Sequence, residues 1–319
     1  MKPDAEIQQA LERSLGARVT LWERRPSPYR TSFVLDELDV RFEDGRELAL
    51  LIKELDRGAL SAEALEVKPS LLFDPEREIE VYERLLSGAE LGTAICYATG
   101  ADPARNRYWL VLERVPGVEL YQVGSRASWE HAARRLARLH ERLAGRESRA
   151  PRLLRYDAEL LRRWPARAAR FAASDSRAEL ERIAAGYDPV IRRILDLPAG
   201  VIHGEFYASN VLVDDAEAPR RVCPVDWEAA GVGPCLLDLA ALVAGNWTDE
   251  DRDAIAEAYL DGLTVARYPR PAVFREGLDA CRLQLAMQWL GWSPTWSPPS
   301  EHASDWLREA LELSARLGV

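Results

Sequence analysis

Four side chains of this 319-residue sequence have types and an order that suggest shared chemistry: Lys53, Glu78, Asn210 and Asp226. Asn210 lies in VIHGEFYASNVLV and Asp226 in VCPVDWEAAG, each at the edge of a short apolar run. An amide and a carboxylate at the edges of adjacent strands can offer oxygen ligands to Mg²⁺, which takes few protein ligands and shares them with substrate phosphates. Glu205 adds another acid to the same segment. Lys53 closes an apolar run and could neutralise phosphate charge, while Glu78 on a following helix could hold that ammonium in place. Together these are the parts of a phosphoryl-transfer site. Singly, each has an ordinary use: strand-end lysines are usually surface charges, and Glu78 could pair with an arginine of its own helix. Asp226 could be a turn acid and Asp238 a helix N-cap. Their joint order is what points to a site.

Positioning such groups requires a sheet and helices, and the apolar spacing supplies both. Ile7, Leu11 and Leu15 predict an amphipathic helix closed by Gly16. Leu38, Val40 and Phe42 alternate with charged residues, Asp44-Gly45 supplies a turn, and 48–52 is apolar, so a β-hairpin ends in Lys53. REIEVYERLL reads as a helix through Ile79, Tyr82 and Leu85, and strands are expected at 93–98 and 108–113. After Pro116-Gly117 the pattern turns helical, starting with a stripe of Trp129, Ala132, Leu136, Leu139 and Leu143. Arg-rich helical stretches follow to about Leu197, with a break expected at Pro165, and short strands are expected at 210–213 and 222–225. Thr248 with Asp251 forms a capping box, Pro271 opens a helix, and Ser300 is the expected cap of the last one. The expectation is an α+β chain with a β-rich lobe over 1–115 and a mainly helical lobe over 116–319.

HGEFYASN resembles the HGDxxxxN catalytic loop of aminoglycoside phosphotransferases, a family of small-molecule kinases. VDWEAAGVGPCLLDLA resembles their metal-binding IDW segment followed by DLA, and LARLH at 136–140 is similar to a helix signature of the same family. Lys53 with Arg77-Glu78 matches the family's lysine–glutamate pair, and LERVPG its hinge. The resemblance implies a two-lobed, protein-kinase-like fold with ATP and Mg²⁺ in the cleft and γ-phosphoryl transfer to a hydroxyl of a small molecule. By that match Asn210 and Asp226 bind Mg²⁺, Lys53 meets the α- and β-phosphates with Glu78 beside it, and main-chain groups of Glu113 and Val115 receive the adenine. Glu205 orients the acceptor, His203 is structural, and Asp238 braces the catalytic loop.

The sequence departs from the family at two places. Glu205 stands where the family has aspartate, and a displacement of about 1 Å can cost on the order of a hundredfold where catalysis rests on positioning. The loop RRPSPYRTS has no glycine to bring amides close to phosphate, so hydroxyls of Ser27, Tyr29, Thr31 and Ser32 are the expected donors, with Ser32 assigned to the nucleotide. Both departures keep open an alternative, a nucleotide-binding protein that is catalytically weak or inactive. A protein-substrate kinase fits less well, since the loop reads HGE rather than HRD and no APE-like segment follows. Of the C-terminal tryptophans, Trp289 and Trp306 are expected in the core, and Trp292 and Trp296, in a Pro/Ser-rich loop, at the acceptor pocket.

A net charge of −10 and a pI near 5.2 argue against general nucleic-acid binding, which needs clustered positive charge. Cys96, Cys223, Cys235 and Cys281 have no zinc-site or disulfide-framework spacing. MKPDAEIQQALERSLG lacks the basic-then-apolar run of a signal peptide, and no apolar stretch reaches a membrane span. A soluble cytoplasmic protein is the resulting expectation, with a small hydroxyl-bearing molecule as partner and neither nucleic acid nor membrane.

Overall fold

The predicted opening helix is α1 (Pro3–Leu15), ended by Gly16 at φ +67°, a conformation that costs glycine nothing. The computed structural model describes residues 3–29, 32–88, 91–214, 220–268, 270–295 and 300–319. Strands β1 (Val19–Pro26), β2 (Leu35–Phe42) and β3 (Glu47–Glu54) follow, with β2 and β3 forming the predicted hairpin. Next come α2 (Ala62–Val67), with the Ser61 hydroxyl accepting from the Ala64 N–H, and α3 (Arg77–Val81). The helix read from REIEVYERLL continues past α3 as one wider π-helical turn, Tyr82–Leu86. Strands β4 (Cys96–Asp102) and β5 (Arg107–Glu113) complete an antiparallel sheet of order β1-β2-β3-β5-β4. The strand expected at 93–98 therefore starts later and runs further. Strand β1 was not anticipated, because its VTLWERRP sequence lies at a sheet edge and carries little apolar alternation.

Strand alternation gives this sheet two apolar faces. On one, Ile7 and Leu11 of α1 pack with Leu38, Val40, Phe42, Leu50, Ile52, Trp109 and Val111. On the other, Leu110 and Leu112 join Ile79, Tyr82 and Leu85 in a core that continues into the helical part of the chain. Each fully buried leucine contributes about 2 kcal/mol of hydrophobic stabilisation.

The chain then makes β6 (Val118–Glu119), α4 (Leu120–Val123) and the long α5 (Arg126–Leu143), whose predicted apolar stripe is buried. Strand β7 (Leu154–Arg155) precedes α6 (Ala158–Phe171), α7 (Arg177–Ala185) and α8 (Asp188–Leu195). Short strands β8 (Ala199–Ile202), β9 (Val211–Asp214), β10 (Arg221–Pro224) and β11 (Gly231–Pro234) carry the candidate chemistry between them. They form two small sheets, β10-β9-β6 and β7-β11-β8. The lobe closes with α9 (Leu236–Leu242), α10 (Asp249–Gly262), α11 (Pro271–Leu290) and α12 (Trp306–Leu317). Thr248 caps α10 and Pro271 opens α11, as the sequence predicts.

Two local expectations are corrected. Helix α6 runs through Pro165 without a break. Proline removes the N–H that would reach the carbonyl of Leu161, and the buried Gln284 of α11 supplies a replacement, its Nε2 donating to Leu161 O at 3.3 Å. Ser300 lies in a separate 3₁₀ turn, and α12 is instead capped by Asp305, whose Oδ1 accepts from the Arg308 N–H at 3.0 Å. A carboxylate directly ahead of the apolar helix outranks a hydroxyl five residues earlier. Among the described residues, no helix is long and apolar enough to cross a membrane.

Candidate active site

Because Ile52 faces α1, strand alternation turns Lys53 to the opposite side, toward α3 and the β10–β11 connection. Its side chain is buried, with Nζ 2.7 Å from Glu78 Oε2 and 2.6 Å from Asp226 Oδ1. The contact to Glu78 is an ion pair lying off the hydrogen-bond axis, whereas Asp226 accepts a directed bond. Glu78 also accepts from the Trp227 N–H through Oε1 at 3.2 Å, so one carboxylate holds both the lysine and the segment carrying Asp226. The intrahelical alternative for Glu78 is thereby replaced by a contact between distant parts of the chain. Burial disfavours the Lys53 ammonium, but Asp226, Glu78 and Glu228 outweigh it and hold its pKa above the ordinary lysine value. Burial lifts Glu78 to about 7 against the pull of Lys53, and it opposes the lysines at Asp226, which nevertheless stays below the usual carboxylate range.

The segment after β8 is fixed from below by Asp238, in the first turn of α9. Its Oδ2 accepts from the His203 N–H at 2.7 Å and lies 3.0 Å from His140 Nε2, while Oδ1 accepts from the Gly204 N–H at 2.8 Å. Gly204 sits at φ +86°, and a Cβ there would lie 2.2 Å from Ala229 O and 2.3 Å from the Tyr156 hydroxyl, so only glycine fits. His203 Nε2 lies 2.9 Å from Val225 O and its Nδ1 takes the Glu205 N–H at 3.3 Å, which assigns the proton to Nε2. Burial keeps its pKa below the ordinary histidine value. His203 thus joins the loop to the Asp226 segment as a neutral structural group. Asn210 Nδ2 donates to Glu205 O at 2.9 Å, leaving its carbonyl oxygen as the end available to a cation. Asp226 itself adopts φ +64° and ψ +69°, a left-handed conformation that asparagine and aspartate tolerate better than other non-glycine residues.

Two charged groups of this cluster were not singled out in the sequence. Glu228, two residues beyond Asp226, pairs with Lys68, accepts from the Ser32 hydroxyl at 3.4 Å, and offers its carbonyl to Arg77 Nη1 at 2.6 Å. Signal for Glu228 lay in the sequence as a second acid in VDWE, whereas Lys68 follows a short helix and has no local signature. Glu205 is half-buried, and burial, with Glu228 nearby, pushes it up to about 8. The carboxyl groups of Glu78, Glu205, Asp226 and Glu228 thus outnumber the two ammonium groups of Lys53 and Lys68, and the charges of Asp226 and Glu228 help the first two hold their protons.

At the connection after β5, the Glu113 N–H donates to Ile95 O at 2.7 Å and its carboxylate is held by Arg221 at 2.6 and 2.8 Å. The Val115 N–H has no protein acceptor among the described residues. Gly117, at φ +119°, passes so close to β9 that a Cβ would meet Val213 O at 2.3 Å. In the preceding loop, Ser27 Oγ accepts from the Tyr29 N–H and Tyr29 is exposed, while Thr31 lies outside the described residues. Trp306 is buried and stacks on Trp289 at 5.5 Å, and Trp289 reaches Tyr207 at 5.3 Å. Trp292 stacks on Trp164 at 5.7 Å, its carbonyl taking Arg167 Nη2 at 2.6 Å. Trp296 lies outside the described residues.

A fold of this kind is shared with solved kinases at low identity. One is a microcompartment-associated aminopropanol kinase, 17% identical, with a TM-score of 0.62 over 99% of this chain and 96% of that one. The macrolide 2'-phosphotransferase of Brachybacterium faecium is 17% identical, with a TM-score of 0.57 over 97% of each chain. A spectinomycin phosphotransferase solved with ADP and spectinomycin is 13% identical, with a TM-score of 0.57 over 97% of this chain and 93% of that one. Among curated proteins, none matches the chain significantly. Coverage at this level extends the likeness through both the sheet and the helical part, which is the two-lobed kinase-like fold expected from the sequence. The model of the phosphotransferase enzyme family matches residues 68–275, well over half of the sequence, and the chain belongs to that family.

Proposed function

We propose that this protein is a small-molecule kinase that binds ATP with Mg²⁺ between a lobe ending near Val115 and a helical lobe beginning near Pro116, and transfers the γ-phosphoryl group to a hydroxyl. The observation that carries the reading is the buried Lys53 ammonium held between Glu78 and Asp226 at 2.7 and 2.6 Å. A buried ion pair adds little stability over apolar packing, so its retention at the cleft is better explained by use. Lys53 would turn to the α- and β-phosphates, with Glu78 keeping its ammonium charged and aimed. The Val115 N–H, which has no acceptor among the described residues, and the main chain of Glu113 would receive the adenine.

Asp226 and the Asn210 side-chain carbonyl would be all-oxygen donors to a cation, and the neighbouring acids Glu78, Glu205 and Glu228 favour positive charge there; both features fit Mg²⁺. Among the described residues no three His, Cys, Asp or Glu side chains group around a metal position, which is compatible with an ion whose remaining ligands come from phosphates and water. When bound, Mg²⁺ would neutralise charge on the transferring group. Glu205 would accept a hydrogen bond from the acceptor hydroxyl and aim it at phosphorus, at a point one methylene further from the backbone than an aspartate reaches. Asp238, through the His203 and Gly204 amides, would keep that loop from moving during transfer. Trp292 would border the acceptor space, since it follows α11, whose Trp289 packs on Tyr207, two residues from Glu205. Trp296 is proposed for the same wall from its sequence position alone.

The test is isothermal titration with ATP and ADP, with and without Mg²⁺, followed by an ADP-release screen of hydroxyl-bearing small molecules. Mg²⁺-dependent binding that weakens in Lys53→Ala supports the reading. No nucleotide binding under any of these conditions removes it.

A further inference from the structure

Lys68 is the second buried ammonium of the cleft. Its side chain is 6% exposed and paired with Glu228, and its Nζ lies 5.1 Å from the centre of the Phe33 ring, whose distance to Lys53 Nζ is 5.5 Å. Both ammonium groups therefore lie within 5.5 Å of the centre of one aromatic ring on the loop between β1 and β2, and the charge of Lys68 is felt by both Asp226 and Glu205. In this glycine-free loop the Ser27 N–H donates to Leu35 O, the Tyr29 N–H to Ser27 Oγ and the Val34 N–H to Ala59 O, while Pro28 has no N–H, so these positions offer no amide to a phosphate.

The loop is tied to the segment that delivers Lys68. Phe33 makes an antiparallel bridge with Leu60, and the Ser61 N–H donates to Ser32 O. Ser61 then caps α2, which ends at Lys68, and Pro69 holds Lys68 extended at φ −70° and ψ +121°. Lysine at this place is set by backbone geometry on both sides. A surface lysine would not be buried against an acid and an aromatic face.

Resting on the nucleotide reading above, we propose that Lys68 is a second phosphate-binding lysine. It places a positive charge beside the glycine-free loop, and Glu228 holds it in place until the phosphates of a nucleoside triphosphate arrive. The exchange moves the ammonium from one oxyanion to another and breaks no covalent bond. Lys53 and Lys68 then both contact the phosphate chain beside Phe33.

The experiment titrates the purified full chain with ATP and Mg²⁺, and separately with adenosine, in wild type, Lys68→Met, Lys68→Arg and the double variant Lys68→Met/Glu228→Gln. Wild type is expected to bind ATP more tightly than adenosine. Lys68→Met is expected to lose on the order of tenfold to a hundredfold in ATP affinity, the worth of one charge-assisted contact, with adenosine binding unchanged. Lys68→Arg recovers most of the loss. The double variant leaves no buried acid unpaired, so it separates a folding defect from a lost phosphate contact and is expected to show the same reduced ratio of ATP to adenosine affinity. If wild type binds ATP and this ratio is unchanged in the variants, Lys68 is only a structural ion pair and the nucleotide reading stands. If ATP and adenosine weaken together, the proposal also falls. Wild type that binds neither ligand removes both readings.

Discussion

Replacing Asp238 by asparagine tests whether one carboxylate holds the His203–Gly204 loop. Both of its oxygens are used, Oδ2 by His203 N–H and His140, and Oδ1 by Gly204 N–H, in a fully buried setting. Asparagine keeps one acceptor. Its better orientation leaves the oxygen toward His203 and His140 and sets an NH₂ group against the Gly204 N–H, donor against donor. One hydrogen bond to a charged group is lost and one buried donor is left unpaired, about 3–5 kcal/mol together. At about 2.1 cal/mol/K per residue, the unfolding entropy of a chain this size is ~0.7 kcal/mol/K, so Tm is expected to fall by roughly 4–7 °C. Thermal unfolding by circular dichroism measures it. A second arm varies pH. Burial opposes the charged form of His140, but Cys235 and Asp238 beside it reverse the balance and raise its pKa to about 10. A pKa raised in the folded state gives stability that is complete below the unfolded value, about 6.5, and is lost as pH rises through about 10. The Tm gap between wild type and Asp238→Asn is therefore expected to narrow between those limits. A gap under about 1 °C at neutral pH would refute the bracing role of Asp238.

Three further outcomes follow from the same geometry. Asp226→Asn tolerates the left-handed backbone but loses the charged oxygen donor, so turnover is expected to vanish with the circular dichroism spectrum unchanged; retained turnover ends the metal assignment. Gln284→Leu strands the Leu161 carbonyl and is expected to cost about 1–3 kcal/mol, whereas adding Pro165→Ala restores an N–H donor and recovers much of it; additive effects in a double-mutant cycle would contradict the account of α6. Burial opposes ionisation of Glu113, but Arg221 and the Ile95 N–H hold its pKa below the ordinary glutamate value, so its contribution is present above pH ~4.5 and lost as pH falls through the lowered pKa. Arg221→Met is accordingly expected to cost about 2 kcal/mol at pH 7, with the difference closing in acid, and a denaturant series across pH checks both.

Legibility of the sequence tracks how local the cause of each feature is. The hairpin ending in Lys53 and the capping box at Thr248 depend on neighbours within a few residues, and both were readable. Lys53, Glu78, Asn210, Asp226 and Asp238 were readable as an ordered set, although no single position identified itself. The structure brings Lys53, Glu78 and Asp226 into direct contact and links Asp238 to the loop before Asn210. What stayed hidden depended on distant partners. Helix α6 survives Pro165 because Gln284, 123 residues beyond Leu161, donates to the freed carbonyl, and Lys68 gains its meaning from Glu228. Asp305 was passed over for Ser300 because both are capable caps and only the true start of α12 separates them. Trp292 finds Trp164, a partner no periodicity links to it.

Helix α1 also sets a schedule for the growing chain. It is made before the sheet, and the face that covers Ile7 and Leu11 is not finished until Trp109 and Val111 of β5 have been made. At synthesis rates of about 5–20 residues per second, that interval lasts roughly 5–20 s. During it the apolar side of α1 lacks part of its final cover, and Glu6 meets Arg107 only when β5 arrives.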